Sequence, residues 1–140
     1  MAKTIVQKVL FKNTTCKALY NLYMDAKLHS LVTGGPAKIS DKEGSSFSAH
    51  GDYIKGKNLH LVKDKVIVQT WRGLGWDKNA VDTIFSIYLE QKGKDVLLHM
   101  VHAYLPDNVA ASIDKGWHEH YWNHWKQYLA GEKLTKGKMF

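Results

Sequence analysis

The 140 residues predict an α+β fold, an antiparallel sheet with its helices grouped on one side. Three observations carry this. Six strand-like stretches lie between Ala37 and Leu105, joined by short polar turns that leave no room for crossover helices. A further alternating stretch opens the chain and leads into two short helical ones. Near the end, Val109, Ile113, Trp117, Tyr121 and Trp125 recur every four positions with Tyr128 beside them, while Lys115, Glu119 and Lys126 fall opposite.

Each element has its own local signal. Thr4 to Phe11 alternates Ile5, Gln7, Val9 and Phe11 against Val6, Lys8 and Leu10, which predicts a first strand. Asn13-Thr14-Thr15 offers an N-cap to a helix from Cys16 to Met24, and Asp25 recaps a second through Leu31. Gly34-Gly35-Pro36 stops it. Ala37–Ile39 and Phe47–Ala49 flank a turn-rich Ser40–Gly44 segment. Tyr53–Val62 and Val66–Trp71 form a hairpin around Lys63-Asp64-Lys65. The Gly73-Leu74-Gly75-Trp76 loop follows. Val81, Thr83, Phe85, Ile87 and Leu89 share one face of the next strand, and Gln91 to Asp95 turns the chain. Val96–Leu105 returns it, with Val96, Leu98, Met100, His102 and Tyr104 on one side. Pro106-Asp107-Asn108 opens the long helix. Residues 1–130 are expected to form a single domain and 131–140 a frayed, lysine-rich tail.

Composition narrows the function classes. A 44% hydrophobic content with five tryptophans argues for a folded globule. No apolar run approaches the roughly 20 residues that span a bilayer. Met1-Ala2-Lys3-Thr4 leads straight into alternation, without a signal peptide's apolar core. The lone Cys16 cannot form an internal disulfide, so a reducing cytoplasm is the expected location. The net charge of +7 comes from 20 basic residues of which only Arg72 is an arginine. The lysines are spread along the chain, with no run denser than Lys133, Lys136 and Lys138. Nucleic-acid binding is therefore not expected, because base reading leans on arginine and phosphate tracking on a stripe.

Candidate chemistry is sparse. His120 and His124 lie one helical turn apart, but Tyr121 follows His120 where a zinc protease needs glutamate, and no metal or other cofactor is expected. There is no Gly-x-Ser-x-Gly elbow, paired acid–base carboxylates or phosphate-cradling glycine motif. No catalytic residue is assigned. His102 stands among inward apolar residues, where it either completes a satisfied core or offers a polar tip to a cavity. On the helix, Ile113, Trp117, Tyr121 and Trp125 can face Tyr53, Trp71, Phe85, Ile87 and Met100 on the sheet. From the residues alone, a solid core and an open pocket are equally consistent with these rings.

The ordered set of residues resembles the family of activator of heat-shock-protein-90 ATPase homologues, within the START-like, birch-pollen-allergen-like helix-grip superfamily. The resemblance rests on Ala37-Lys38-Ile39-Ser40, Gly44, Phe47-Ser48, Gly56, Asn58-Leu59 and Leu61-Val62. It continues through Ile67-Val68-Gln69-Thr70-Trp71-Arg72, His102 and Pro106 to Gly116-Trp117 and Tyr121-Trp122, covering about residues 4 to 130. Gly44-Ser45 departs from the two glycines of many members, and Leu31-Val32-Thr33 lacks their tryptophan. The resemblance implies a seven-stranded antiparallel sheet curled around the long C-terminal helix, with the two short helices closing one end. It also implies a cavity for a small apolar or aromatic ligand, lined here by Tyr53, Trp71, Phe85, Ile87, Met100, His102, Ile113, Trp117, Tyr121 and Trp125. Two alternatives accompany that expectation: a module that docks on a chaperone or other acidic protein, and an enzyme using His102. A monomer is expected in each case.

Overall fold

The computed structural model describes residues 2–131, so the expected tail beyond Gly131 lies outside the described residues. The order is β1 (Ala2–Phe11), α1 (Cys16–Met24), α2 (Ala26–Thr33), β2 (Ala37–Lys38), β3 (Ser46–Ala49), β4 (Ile54–Val62), β5 (Val66–Gly73), β6 (Thr83–Lys92) and β7 (Asp95–Pro106). One continuous helical rod follows, made of α3 (Asp107–Gly116), a π-helical segment (Trp117–Trp122) and α4 (Asn123–Leu129). The seven strands form one antiparallel curved sheet in the order β1-β7-β6-β5-β4-β3-β2.

Local chemistry fixes the short helices. Thr15 accepts the Ala18 N–H at 3.1 Å to cap α1. The Asp25 carboxylate takes the Lys27 and Leu28 N–H groups, both at 3.0 Å, to start α2. Helix α2 runs through Thr33, two residues past the expected Leu31, and ends where Gly34 adopts φ +78°.

Alternation sets which strand faces look inward. Ile5, Gln7, Val9 and Phe11 of β1 are buried, while Val6 and Leu10 are exposed. Thr83, Phe85, Ile87 and Leu89 of β6 are buried, as are Val96, Leu98, Met100 and His102 of β7. Three expectations need correction. Val81 lies outside β6 and is exposed. Tyr104 turns outward because its backbone takes φ +70° at an irregularity opposite Lys3 and Ile5, which passes the inward position to Leu105. The turn between β6 and β7 is only Gly93-Lys94, with Lys92 and Asp95 already paired.

The rod also departs from simple four-residue spacing. Across the π-helical segment, the Asn123 N–H bonds to the His118 carbonyl, a five-residue step. A five-residue step here returns nearly to the same side, so Trp117, Tyr121 and Trp122 are all buried. Trp122 stacks on Trp117 with centroids 5.5 Å apart and planes 16° apart. Past the extra residue the phase has moved, leaving Tyr128 exposed where the expected stripe would have buried it.

Candidate functional site

The expected site residues converge on Trp117. Its indole stacks on Phe85 with centroids 4.3 Å apart and planes 9° apart. Trp71 lies 6.0 Å away, His102 5.8 Å and Tyr121 4.8 Å, all centroid to centroid. Ile87 and Met100 are cross-strand partners in the same buried layer, joined there by Ile113. Trp125 reaches the group through Trp122, at 4.9 Å, and Tyr23, at 6.5 Å. Tyr53 stands apart. It precedes β4, is half-buried, and accepts the Leu74 N–H at its carbonyl at 2.7 Å. The rings pack on one another between sheet and rod, each within a ring's width of the next.

His102 is fully buried and spends both nitrogens. The Trp117 Nε1–H donates to Nδ1 at 3.1 Å. The Thr83 hydroxyl donates to the Trp71 carbonyl at 2.6 Å, so it accepts the His102 Nε2–H at 2.8 Å. This chain fixes the tautomer, with the proton on Nε2. Burial pushes the His102 pKa down to about 3.

A second buried imidazole, His29, has the opposite tautomer. Its Nδ1–H donates to the Tyr23 carbonyl at 2.8 Å, leaving Nε2 to accept the Tyr121 hydroxyl at 2.9 Å. Burial lowers the His29 pKa to about 4 and raises the Tyr121 hydroxyl above its ordinary range. His50, also pushed to about 4 by burial and then by neighbouring histidines, packs its ring 5.8 Å from Tyr121. In His29 and His102 each lone pair and each proton is engaged, so neither offers a ready base to a substrate.

Two further networks pin the sheet. The Tyr23 hydroxyl donates to Gln69 Oε1 at 2.8 Å, and Gln69 Nε2 donates to Asn58 Oδ1 at 2.9 Å. Asn58 Nδ2 then holds the Ser40 and Lys42 carbonyls at 2.7 and 3.0 Å, fixing the β2–β3 turn. At the other edge, Gln7 Oε1 accepts the Trp122 Nε1–H at 2.7 Å and its amide donates to Asp114.

Several of these residues were beyond the sequence signals. Tyr23 was visible only as one apolar position of α1, and Trp122 was lost to an assumed constant helical period. His124, considered from the sequence only as half of a histidine pair, is buried and donates from Nδ1 to the Val32 carbonyl at 2.8 Å. His120 is half-buried beside His50. Among the described residues no three histidine, cysteine or acidic side chains gather as a metal-binding group.

The profile of the activator of Hsp90 ATPase homolog 1-like family matches residues 13–130. The chain belongs to that family. An activator of 90 kDa heat shock protein ATPase homolog from Dictyostelium discoideum is 28% identical over 116 residues, covering 82% of this chain and 30% of the relative. The Homo sapiens homolog 1 is 25% identical over 138 residues, covering 90% and 40% respectively. The chain thus spans well under half the length of these curated relatives. Among solved structures, an HSP90 activator from Plasmodium falciparum superposes with TM-score 0.82 at 19% identity, covering 93% of this chain and 97% of that one. This likeness shows the helix-grip fold. No helix among the described residues is long and apolar enough to cross a membrane.

Proposed function

We propose that this chain is a single-domain docking module that binds the Hsp90 chaperone and stimulates its ATPase, working by contact rather than by catalysis. The observation that carries the reading is membership of a family described by that activity, matched across residues 13–130. The interior agrees with a rigid binding body: the rings under the rod touch one another, and His29 and His102 beside them are hydrogen-bonded through both ring nitrogens. The exterior agrees as well, because a lysine-rich surface with net charge +7 suits an acidic partner. In this reading the protein acts as a cytoplasmic monomer.

Isothermal titration of purified Hsp90 with the purified chain tests the proposal. Saturable binding that weakens as salt rises is expected. Absence of heat at any salt concentration, with the chain folded by circular dichroism, contradicts it.

A second reading places a small apolar or aromatic molecule between sheet and rod, among Trp71, Phe85, Trp117 and their neighbours. One observation favours it: Trp125 Nε1 is buried and has no hydrogen-bond partner among the described residues. A ligand acceptor reaching that donor would have to part rings now in contact. Tryptophan fluorescence titrated with sterols, fatty acids and aromatic polyketides checks this, and spectra unmoved by every class leave the docking reading standing alone.

A further inference from the structure

The solvent face of the sheet assembles cations that are far apart in sequence. Strand pairing sets Lys38 beside Ser48, Ser48 beside Lys55, and Lys55 beside Arg72. Cross-strand partners project from the same face. The inward neighbours Phe47, Ala49, Ile54 and Trp71 are buried, so this line faces water. Lys57, two residues beyond Lys55 on the same side, pairs with Ser46. Together these side chains line an open groove of about 580 Å³ whose carboxylates are Asp52 and Asp82.

The charge arrangement is costly to the fold. Lys55 and Arg72 are directly opposite across β4 and β5, a like-charge pairing that weakens a sheet. Asp82 offsets part of it, lying 3.4 Å from Arg72. Arg72 is also held by the Asp77 and Ala80 carbonyls at 2.6 and 2.5 Å. Lys38, Lys55 and Lys57 make no ion pair among the described residues. Three uncommitted ammonium groups in one concavity focus a positive field outward.

We infer that this groove is the docking site for an acidic, extended segment of a protein partner. The proposal rests on the docking reading above and names its surface. Three inter-strand steps from β2 to β5 span about 14 Å, which four or five extended residues cover at roughly 3.3 Å each. Carboxylates on such a segment meet Lys38 and then Lys55 along this line, with Lys57 two residues along β4, roughly 7 Å to one side. A nucleic acid fits less well: the one arginine is held by backbone carbonyls, and the aromatic lining the groove, Phe47, is buried and offers no stacking face.

The test uses a fluorescein-labelled octapeptide of alternating glutamate and serine, read by anisotropy, alongside purified Hsp90 read by titration. Two triple variants are compared: Lys38→Gln/Lys55→Gln/Lys57→Gln, and a charge-matched control, Lys8→Gln/Lys12→Gln/Lys94→Gln. Each exposed ion pair contributes a few-fold at most, so the groove variant should bind the peptide about tenfold more weakly and the control within about twofold of the parent. Equal losses in both variants overturn the groove. So does tighter binding of phosphatidylserine vesicles or a single-stranded oligonucleotide than of the peptide. If the peptide binds in the groove but Hsp90 does not bind at all, the groove stands and the chaperone reading fails. If Hsp90 binds parent and groove variant equally, the groove fails and the chaperone reading stands. Circular dichroism confirms folding, and reversion of Lys55 alone recovers part of the loss.

Discussion

The indole N–H of Trp117 donates to Nδ1 of His102 at 3.1 Å, bolting the helical rod to strand β7 through a hydrogen bond buried on every side. Replacing Trp117 by Phe keeps the stack on Phe85 but leaves that imidazole nitrogen unsatisfied. A buried acceptor without a partner costs about 1–3 kcal/mol, which urea denaturation should register as a lower midpoint with an unchanged slope. Coupling to a His102→Phe change checks the origin, since the double variant should cost less than the sum of the singles.

Acid should loosen the fold well above the carboxylate range. The folded pKa values of His29, His50 and His102 lie at about 4, 4 and 3, below the ordinary 6.5. The unfolded chain therefore takes up protons first as pH falls. The stabilising contribution is complete above about pH 6.5 and drains away down through those folded values. Between about pH 7.5 and pH 5 the loss is on the order of 2 kcal/mol each for His29 and His102, with His50 adding in the same direction. Urea midpoints across that range measure it, and a flat profile contradicts neutral burial of these rings.

Gly56 should tolerate no side chain. A methyl there would fall onto the Thr70 carbonyl oxygen and within 2.6 Å of the Phe47 ring. Backbone on one side and a buried ring on the other cannot both give way. Gly56→Ala is expected to lower stability by about 2 kcal/mol or more, measured by thermal or urea unfolding.

Trp122 should matter as much as Trp117. It is fully buried, stacked on Trp117, and donates to Gln7. Truncating either to Ala should cost about 3–5 kcal/mol. A negligible loss at Trp122 would argue against the π-helical segment that turns it inward.

The strands and short helices were legible because each rests on a local pattern: alternation in β1, β6 and β7, the Thr15 and Asp25 caps, and the Gly34 stop. The aromatic layer was legible in its membership, since Trp71, Phe85, Trp117 and Tyr121 meet as their spacing predicts. What stayed hidden depends on events that composition does not encode. A single extra residue per turn rotates Trp122 in and Tyr128 out, and one positive φ at Tyr104 reverses the end of β7. Whether the rings would close on one another or leave a pocket depended on relative heights of sheet and rod, which spacing cannot supply. The basic groove was invisible for a related reason. Lys38, Lys55 and Arg72 are brought to one line only by strand register, through a β2 of two residues.

ATP turnover by purified Hsp90, followed as this chain is added, tests the central claim most directly. A saturable rise in turnover that the groove variant shifts to higher concentration is the predicted result. Turnover unchanged at concentrations far above any measured binding constant would contradict it.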